Sequence, residues 1–494
     1  MDPWGLTTPI LVFFVSFLVF LSLWKKDYKG RNLPPGPVPL PIIGNILQID
    51  HKNFFMSLNK LYEKYGPVYT IYLGSQPVVV LHGYKALKEA LIDQGDIFGG
   101  RGKVPVFENT FKGNGIVFSH GEKWKQIRQF SLMTLRKFGM GKRSIEERIQ
   151  EEAQFLIKEL KKTNSQPFNP HVILQYAPFN VISSILFHQR FNYDNEDFLS
   201  MMHILNENAI LLNSPMIQLY NYFPWLFHYF MSHHKKFFSN TEATKKIFLD
   251  QVKKHQDTLD LNNPQNLVDC YFHKMQQEQK NPDSVFDMEN LAAIGVDLFG
   301  AGTTTTSTTL AFSLFLILKH PEVQDKIHEE IDQVIGPHRI PSIKDKLEMP
   351  YTDAVLHEIQ RYINIAPISM PHEVTHDTQF RQYFIPKGTM VFPFLSSVLF
   401  DPIEFPNPYQ FDPGHFLHQD GRFKNSDYFM PFSIGKRACL GEGLAKMELF
   451  LLLVTILQNF TIKSVIDPKE IIIKPMSTRG VSCPPKYQLC FFPR

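Results

Sequence analysis

The chain has few of the residues that cross-link a protein or give it a strong charge. It contains 4 cysteines in 494 residues, none of them spaced C-x-x-C. This excludes a disulfide-dense secreted scaffold and argues against a cysteine-based zinc site. The 51 Lys and Arg side chains nearly balance 48 Asp and Glu side chains. The formal net charge of +3 therefore gives no indication of a nucleic-acid-binding protein.

What the sequence has in quantity is apolar and aromatic residues. Hydrophobic residues make up 44% of the chain, charged residues 20%, and 44 residues are phenylalanine. This is a globular composition, with enough bulky side chains for a large core and an apolar cavity. The length alone allows two to four domains. Because no repeat or second linker is visible, we predict one large, mainly helical domain with small β-sheets over residues 42–494.

The N-terminal segment is predicted to be a membrane anchor, residues 1–24. Residues 3–24 carry no charge, and a stretch of this length just spans a bilayer. A cleaved signal peptide is the alternative, but no basic region precedes the apolar run and no small-x-small site follows it. Because Lys25 and Lys26 follow the run, the positive-inside rule places the body in the cytoplasm. A basic, proline-rich hinge, residues 25–41, connects the two.

Short β-rich runs and longer helical patterns are recognisable in the body. Val68–Leu73 and Val78–His82 form one predicted hairpin, and Tyr383–Ile385 with Met390–Phe394 a second. Helical periodicity dominates elsewhere. The predicted helices are Gly121–Phe138, Ser144–Lys162, Val172–Phe187, Thr241–Leu259, Asp287–Lys319, Pro321–Ile335, Tyr351–Tyr362 and Glu442–Gln458.

The strongest chemical signal surrounds one cysteine, Cys439. It stands at a predicted helix start, where the helix dipole and unpaired N–H groups favour a thiolate. Gly435 and Gly441 permit the close approach of a large flat group, and Arg437 can meet an anion. A lone cysteine is ordinarily a buried structural residue. The spacing F-x-x-G-x-R-x-C-x-G, however, is expected by chance in about one in ten thousand chains of this length.

At these residues the sequence resembles the cytochrome P-450 family of haem-thiolate monooxygenases. With the anchor and the proline hinge, Phe432–Phe450 is most similar to microsomal family 2, closest to subfamilies C and E. The resemblance implies the cytochrome P-450 fold, haem b as cofactor and Cys439 as the axial thiolate ligand of the haem iron. We interpret Cys270, Cys483 and Cys490 as structural.

Two more segments match the family. Glu358 and Arg361 share a helix face and resemble the E-x-x-R motif that braces the haem-side core. His415 takes the place of the motif's third partner, where many members have arginine. Taken alone, such a pair is an ordinary solvated helix face.

The threonine-rich middle of Asp287–Lys319 resembles the family's distal helix, A-G-x-(acid)-T. Thr305 matches the oxygen-activating threonine, and Ala301-Gly302 the groove over the haem. Thr304 stands where most members carry an acid of the proton-delivery network. A hydroxyl relays protons through water but is not a comparable acid. We therefore expect a poorer coupling of NADPH consumption to product formation.

Residues for the haem propionates and for the substrate follow from family position. Taken singly, an arginine is more often a surface charge than a propionate ligand, and a histidine is more often an ordinary hydrogen-bonded histidine. The propionate candidates are Arg101, Trp124, Arg128, His372 and Arg437. The pocket candidates, mostly apolar and so suited to lipophilic substrates, are Val117, Phe118, Asn208, Asp297, Ala301, Ile363, Ile365, Ala366, Pro367 and Gly480.

The resemblance implies a membrane-bound monooxygenase of the endoplasmic reticulum. It would hydroxylate or epoxidise lipophilic molecules (fatty acids such as arachidonate, steroids, xenobiotics) with dioxygen. Electrons would come from NADPH through NADPH-cytochrome P-450 reductase, with cytochrome b5 as an optional second donor. A reductase-independent haem-thiolate isomerase and a haem-binding lipid carrier without activity are the alternatives. The cationic face expected to dock the donor comprises Lys125, Arg136, Lys137, Lys142, Arg143, Lys436 and Lys446.

Overall fold

The structure is a computed structural model that describes residues 33–50, 53–138, 143–230, 232–256, 259–260, 262–472, 482 and 484–494. The predicted anchor lies outside the described residues, as does the N-terminal part of the predicted hinge. The chain divides into two compact units. The smaller unit comprises the described residues up to Gly102 together with Ser369–Phe394; the larger comprises Lys103–Ile368 and Leu395–Arg494.

The smaller unit contains most of the β-structure. Its strands are β1 (Val68–Leu73), β2 (Gln76–His82), β3 (Gly100–Arg101), β4 (His372–Glu373), β5 (Thr378–Phe380), β6 (Tyr383–Ile385) and β7 (Met390–Phe394), and its helices are α1 (Phe54–Tyr65) and α2 (Tyr84–Lys88). One sheet has the order β1-β2-β7-β4-β3, and β5 pairs with β6 in a second. The first predicted hairpin is confirmed, since β1 and β2 pair antiparallel.

The second predicted hairpin is wrong, although both of its strands exist. β6 pairs with β5, whereas β7 lies between β2, to which it is parallel, and β4. Every residue of β7 is buried, which suits a central strand better than one arm of an exposed hairpin. The partner of β7 is distant in sequence, so no local pattern indicates it.

The described end of the proline-rich segment packs against β1. The backbone N–H of Thr70 donates to the Pro35 carbonyl at 2.9 Å. A Cβ on Gly36 would lie 1.8 Å from the Thr70 oxygen, so only glycine permits this approach. The Tyr72 N–H donates to the Asn45 side-chain oxygen at 2.6 Å. Residues 33–45 are therefore docked on the sheet and do not form a free spacer.

The larger unit is mainly helical. Its helices are α3 (Pro105–Phe111), α4 (Gly121–Phe138), α5 (Arg143–Lys161), α6 (Tyr176–Phe187), α7 (Glu196–Leu212), α8 (Pro215–Tyr222), α9 (Pro224–Phe230), α10 (His233–Gln256), α11 (Leu267–Gln277), α12 (Met288–Lys319), α13 (Pro321–Val334), α14 (Pro350–Ile363), α15 (Ser396–Leu399) and α16 (Glu442–Asn459). Strands β8 (Phe460–Ser464) and β9 (Leu489–Pro493) pair antiparallel. A mainly helical fold with small sheets was predicted and is confirmed.

The predicted helices agree best where periodicity is long and the ends are marked. α4 has the predicted bounds, and α12, α13, α14 and α16 differ from them by no more than one residue at either end. The predicted Val172–Phe187 is a short 3-10 turn followed by α6. α10 begins at His233, eight residues before the predicted start at Thr241. The helices α7, α8 and α9 were not predicted.

Helix α12 is the longest helix among the described residues and runs through the core. The Asp287 side chain caps its first turn by accepting from the Asn290 N–H at 2.7 Å. Among the described helices it alone is long and apolar enough to cross a membrane, but 78% of its most apolar window is buried inside the protein. Together with α5, α6 and α16 it forms the main hydrophobic core, and it is a core helix.

Candidate functional site

Cys439 lies in the loop between a 3-10 turn, Gly435–Arg437, and helix α16. Its backbone N–H donates to the Phe432 carbonyl at 2.9 Å, which closes the loop. The residue is exposed, yet the surrounding protein raises the pKa of its thiol through burial. We conclude that Sγ lies on the wall of a recess and not on the outer surface.

The protein groups around Cys439 do not favour the thiolate as strongly as expected. The Gly441 N–H bonds the sulfur and the Arg128 charge is nearby, and both lower the pKa of the thiol; burial outweighs them and the pKa is raised. The loss of water around the sulfur thus outweighs the protein groups that favour the thiolate. A cation bound at the sulfur would favour the thiolate.

Helix α4 brings a tryptophan and an arginine to the cysteine loop, which itself carries a second arginine. The Arg437 guanidinium carbon lies 3.7 Å from the centre of the Trp124 ring, and that of Arg128 lies 5.8 Å from it. Arg128 Nη2 donates to the Ala438 carbonyl at 2.6 Å, and Arg437 Nη2 donates to the Ser119 carbonyl at 2.9 Å. The structure thus brings together four of the residues predicted to bind haem.

This cluster fits the propionate end of a haem. Trp124 Nε1 is buried and has no hydrogen-bond acceptor among the described residues, whereas buried indole N–H groups ordinarily have one. Two guanidinium groups flank the ring that carries this donor. A carboxylate placed there would receive charge-assisted hydrogen bonds and neutralise buried positive charge. The residues present therefore match the group that the sequence implies.

The other two propionate candidates lie in the smaller unit. Arg101 and His372 are paired across strands β3 and β4, and both are buried. Nδ1 of His372 lies 2.7 Å from the Phe98 carbonyl oxygen, so this nitrogen carries the hydrogen. Arg101 Nη1 donates to the Pro371 carbonyl at 3.4 Å. Their role toward haem stays a prediction from the resemblance.

Helix α12 has accessible residues in its middle although most of it is buried. Ala301 is exposed and Thr304 and Thr305 are half-buried, whereas Thr303 and Thr306 on the adjoining face are buried. The Thr305 hydroxyl donates to the Ala301 carbonyl at 2.8 Å. Such hydroxyl back-bonding competes with the helix ladder. The predicted catalytic hydroxyl thus lies at an accessible part of an otherwise buried helix.

Gly302 has an observed packing role. A Cβ at this position would lie 2.5 Å from Cδ1 of Ile182 in α6, so glycine lets α12 and α6 approach closely. The sequence assigned Gly302 to a groove over the haem. That assignment stays a prediction, and helix packing is sufficient reason for the glycine.

Asp297, one of the pocket candidates, is hydrogen-bonded to a loop from another part of the chain. It is 6% exposed, and its Oδ2 accepts from the backbone N–H groups of Ile116 and Val117 at 2.6 and 2.9 Å. About two turns earlier, Asn290 Oδ1 accepts from the Gly115 N–H at 2.8 Å. These bonds fix the loop that carries Val117 and Phe118, so Asp297 acts on the predicted pocket through that loop.

The other pocket candidates differ in their surroundings. Phe118 stacks between Phe107 and Phe111, with ring centres 4.2 and 4.8 Å away. The Asn208 side-chain oxygen accepts from Asn240 at 3.0 Å, so its amide hydrogens are the groups left for a ligand. Ile363 is buried in the core, Pro367 is buried, and Ile365 and Ala366 are half-buried. Gly480 lies outside the described residues.

The E-x-x-R cluster forms as predicted. Arg361 donates to both carboxylate oxygens of Glu358 at 2.7 and 2.8 Å, and both side chains are fully buried. Arg361 Nη1 also donates to the Leu399 and Pro408 carbonyls at 2.9 Å. His415 Nδ1 lies 3.2 Å from Glu358 Oε2. Burial alone would lower the pKa of His415. Glu358 acts in the opposite direction by raising that pKa, and the net shift is upward.

One buried acid near the site was missed in the sequence. Glu448 of α16 is 1% exposed, its carboxyl bonds the Thr306 side chain, and burial raises its pKa well above the usual range. The bond joins the helix that follows Cys439 to the threonine-rich helix. The available signal was a single glutamate directly before the apolar run Leu449–Val454.

Comparison with known proteins decides the family. The family model described as Cytochrome P450 matches residues 34–491. The chain belongs to the cytochrome P450 family. Cytochrome P450 2C44 of Mus musculus is 57% identical over 494 residues, covering 100% of both chains. Cytochrome P450 2C5 of Oryctolagus cuniculus is 56% identical over 493 residues, covering 100% of both.

Cytochrome P450 2C8 of Homo sapiens is 55% identical over 484 residues, covering 98% of this chain and 99% of the relative. These similarities confirm the prediction of microsomal family 2 and place the chain with subfamily C. The protein is accordingly a haem-thiolate monooxygenase with haem b as cofactor, and it acts at a membrane on lipophilic substrates with the help of a redox partner.

Proposed function

We propose that Cys439 is the protein ligand of the haem iron and that Trp124, Arg128 and Arg437 bind a haem propionate. The observation that supports the proposal is the contact between the cysteine loop and helix α4. Arg128 donates to the residue before Cys439, and Arg437 stacks on Trp124, beside a buried indole N–H that lacks an acceptor. Bound haem supplies the activation of dioxygen, and the thiolate supplies electron density to the iron.

The polypeptide's own contribution on the distal side is to hold and move protons. Thr305 Oγ1 is hydrogen-bonded to the Ala301 carbonyl and is half-buried at an accessible part of α12. A hydroxyl that can exchange this bond for one to water is suited to relay a proton at Oγ1. Thr304 places a second hydroxyl beside it, in the position where an acid is usual.

The electron donor we propose is NADPH-cytochrome P-450 reductase, with cytochrome b5 as an optional second donor. Among the described candidates, Lys125, Arg143 and Lys446 form ion pairs with acids within one turn of the same helix. Exposed pairs of this kind are weak, so these cations can exchange their partners for acids of a docking protein. Lys142 lies outside the described residues.

We propose attachment to the endoplasmic reticulum membrane with the catalytic body in the cytoplasm. The support is the uncharged segment 3–24 followed by basic residues, and the aromatic surface of α9. Trp225, Tyr229 and Phe230 are 70%, 76% and 83% exposed. Aromatic side chains of this kind are favoured at the membrane interface. Removal of the anchor should therefore leave residual membrane association.

The substrates we propose are lipophilic molecules such as arachidonate and other fatty acids, steroids and xenobiotics. The support is the aromatic stack of Phe107, Phe118 and Phe111, together with the apolar and only half-buried side chains of Ile365 and Ala366 in another pocket segment. Asn208 offers amide hydrogens to a polar substrate group.

Untargeted product analysis tests this function most broadly. Membranes containing the protein and the reductase are incubated with a lipid and steroid extract, NADPH and isotope-labelled dioxygen. We expect products that carry one labelled oxygen atom and that require both NADPH and reductase. Rearranged peroxides formed without reductase would instead identify an isomerase. A haem-loaded protein without any product would identify a carrier.

A further inference from the structure

The segment that follows helix α14 is held by a buried set of polar groups. The helix ends at Ile363, and Asn364 takes the left-handed conformation with φ 43° and ψ 63°, which asparagine tolerates better than most residues. Ile365 and Ala366 come next and are half-buried. The polar groups that hold the chain on either side of them are buried, so the backbone that carries these two apolar side chains is fixed.

Ser396 and Ser482 hold this segment from two other parts of the chain. The Ser482 N–H donates to the Ile365 carbonyl at 3.0 Å, and its hydroxyl donates to the Asn364 carbonyl at 3.3 Å. The Ser396 N–H donates to the Pro367 carbonyl at 3.1 Å, and its hydroxyl lies 3.4 Å from the same oxygen. The carbonyl oxygens of Asn364, Ile365 and Pro367 thus each accept a hydrogen bond from Ser396 or Ser482.

Asn364 closes the network. Its side-chain amide donates to the Ser396 hydroxyl, which is therefore fixed from both sides. Asn364 and Ser396 are 7% and 6% exposed, and Ser482 is fully buried. Buried networks in which each group has a partner are rigid, because any rearrangement leaves a polar group unpaired in a dry environment.

The network is attached to rigid elements on both sides. Ser396 begins α15, and the Leu399 carbonyl at the end of that helix accepts from Arg361. The short helix thus connects the buried Glu358–Arg361 pair to the Pro367 carbonyl. The two bonds of Ser482 tie the segment after α14 to a part of the chain 118 residues away.

We propose that Asn364, Ser396 and Ser482 are positioning residues that determine where on a substrate the oxygen atom is inserted. The inference rests on the proposed function, in which Ile365, Ala366 and Pro367 line the substrate pocket. The three polar residues act through those side chains and do not themselves touch the substrate. A shift of the segment by a fraction of an ångström would present a different carbon atom, and rate is sensitive to such misplacement.

The test uses three single variants and a matched control. Ser396→Ala and Ser482→Ala remove one hydroxyl each and keep the backbone bonds; Asn364→Gly keeps the left-handed backbone and removes the amide. Ser165→Ala is the control, because its hydroxyl also joins distant segments, by donating to the Phe491 carbonyl at 2.8 Å, but contacts no predicted pocket segment. Arachidonate, with several reactive positions, and testosterone are the probes, both with reductase and NADPH.

Two readouts are taken on each full-length holoenzyme. We expect the ratio of regioisomeric products to change by about threefold or more in the three variants, most in Ser396→Ala, while the reduced CO spectrum is unchanged. We also expect amide hydrogen exchange in peptides covering residues 363–368 to be faster in these variants only. A product ratio reports on geometry and is independent of the amount of folded enzyme.

The outcomes distinguish a failure of this inference from a failure of the proposed function on which it rests. Unchanged ratios, or ratios that shift equally in Ser165→Ala, would overturn the inference while the monooxygenase assignment stands. Unchanged exchange at residues 363–368 would also overturn it, since the segment would not depend on the network. If the wild type forms no product from any lipid or steroid, the proposed function fails, and the exchange readout still decides whether the network positions the segment.

Discussion

His415 is hydrogen-bonded to Glu358 through one ring nitrogen and to a backbone carbonyl through the other. Nδ1 lies 3.2 Å from Glu358 Oε2, and Nε2 lies 2.7 Å from the Pro406 carbonyl oxygen. A neutral imidazole has one N–H, whereas both nitrogens here face acceptors. The protonated form satisfies both bonds, in agreement with the raised pKa of His415.

The protonation of His415 predicts a pH dependence of stability. Because its folded-state pKa is raised above the unfolded value of about 6.5, its contribution is full below that value and is lost as pH rises through the folded pKa. Wild type should therefore lose stability across this range relative to His415→Gln. Chemical unfolding of the two proteins at a series of pH values measures the difference. Parallel pH profiles for the two proteins would contradict this, because they would show that folding does not shift the pKa of His415.

For Glu448 we predict that replacing the carboxyl by a neutral amide does not destabilise the protein. Burial raises the pKa of Glu448, so folding disfavours the ionised carboxyl and costs free energy wherever that carboxyl is ionised in the unfolded chain. This cost is absent at a pH below the unfolded pKa and grows as pH rises toward the folded pKa. Glu448→Gln keeps the bond to Thr306 and removes the cost, so its free energy of unfolding near pH 7 should equal or exceed that of wild type.

Glu448→Ala is the contrasting variant. It leaves the Thr306 hydroxyl unpaired and opens a cavity between α12 and α16, so it should lose about 2 kcal/mol or more. Thermal unfolding of both variants provides the comparison. A loss in Glu448→Gln as large as that in Glu448→Ala would mean that the carboxyl is ionised in the folded protein.

Asp297 should behave as a loop anchor. Its Oδ2 accepts two backbone N–H groups, from Ile116 and Val117. Asp297→Ala removes both bonds and should lower the free energy of unfolding by about 2 kcal/mol, with faster amide exchange at those two residues. Asp297→Asn keeps an acceptor and should lie between. Normal stability with a changed affinity for one polar substrate would instead assign Asp297 to direct substrate binding.

Thr304 is predicted to limit coupling. The hydroxyl cannot serve as a strong proton donor near pH 7, and general acid groups typically contribute about a hundredfold. Thr304→Glu should raise the ratio of product formed to NADPH consumed and reduce the release of hydrogen peroxide, whereas Thr305→Ala should lower that ratio. If wild type is already well coupled and Thr304→Glu changes nothing, protons arrive by a route that does not include this position.

Sequence was a good guide wherever the information is local. Helix α4 and the Glu358–Arg361 pair follow from periodicity and spacing within one segment. The cysteine motif could be recognised because its glycines, arginine and cysteine are contiguous. The raised pKa of the thiol could not be predicted in the same way, since it depends on how many distant residues surround the sulfur.

The failures share a long-range cause. β7 is paired with β2, which lies hundreds of residues earlier, and no turn signal specifies such a partner. Asp297 was a pocket candidate by family position, and the sequence did not indicate that its partners lie in a loop 180 residues away. Glu448 was not predicted to matter, because the sequence does not show that its carboxyl bonds Thr306 of another helix.

The haem ligand is the central claim, and the spectrum of the reduced, CO-bound protein tests it most directly. Wild type should show the long-wavelength Soret band that a thiolate ligand gives, Cys439→Ala should lose it, and Cys270→Ala should keep it, because Cys270 is half-buried on another helix and burial raises the pKa of its thiol. Retention of the band in Cys439→Ala would contradict the account.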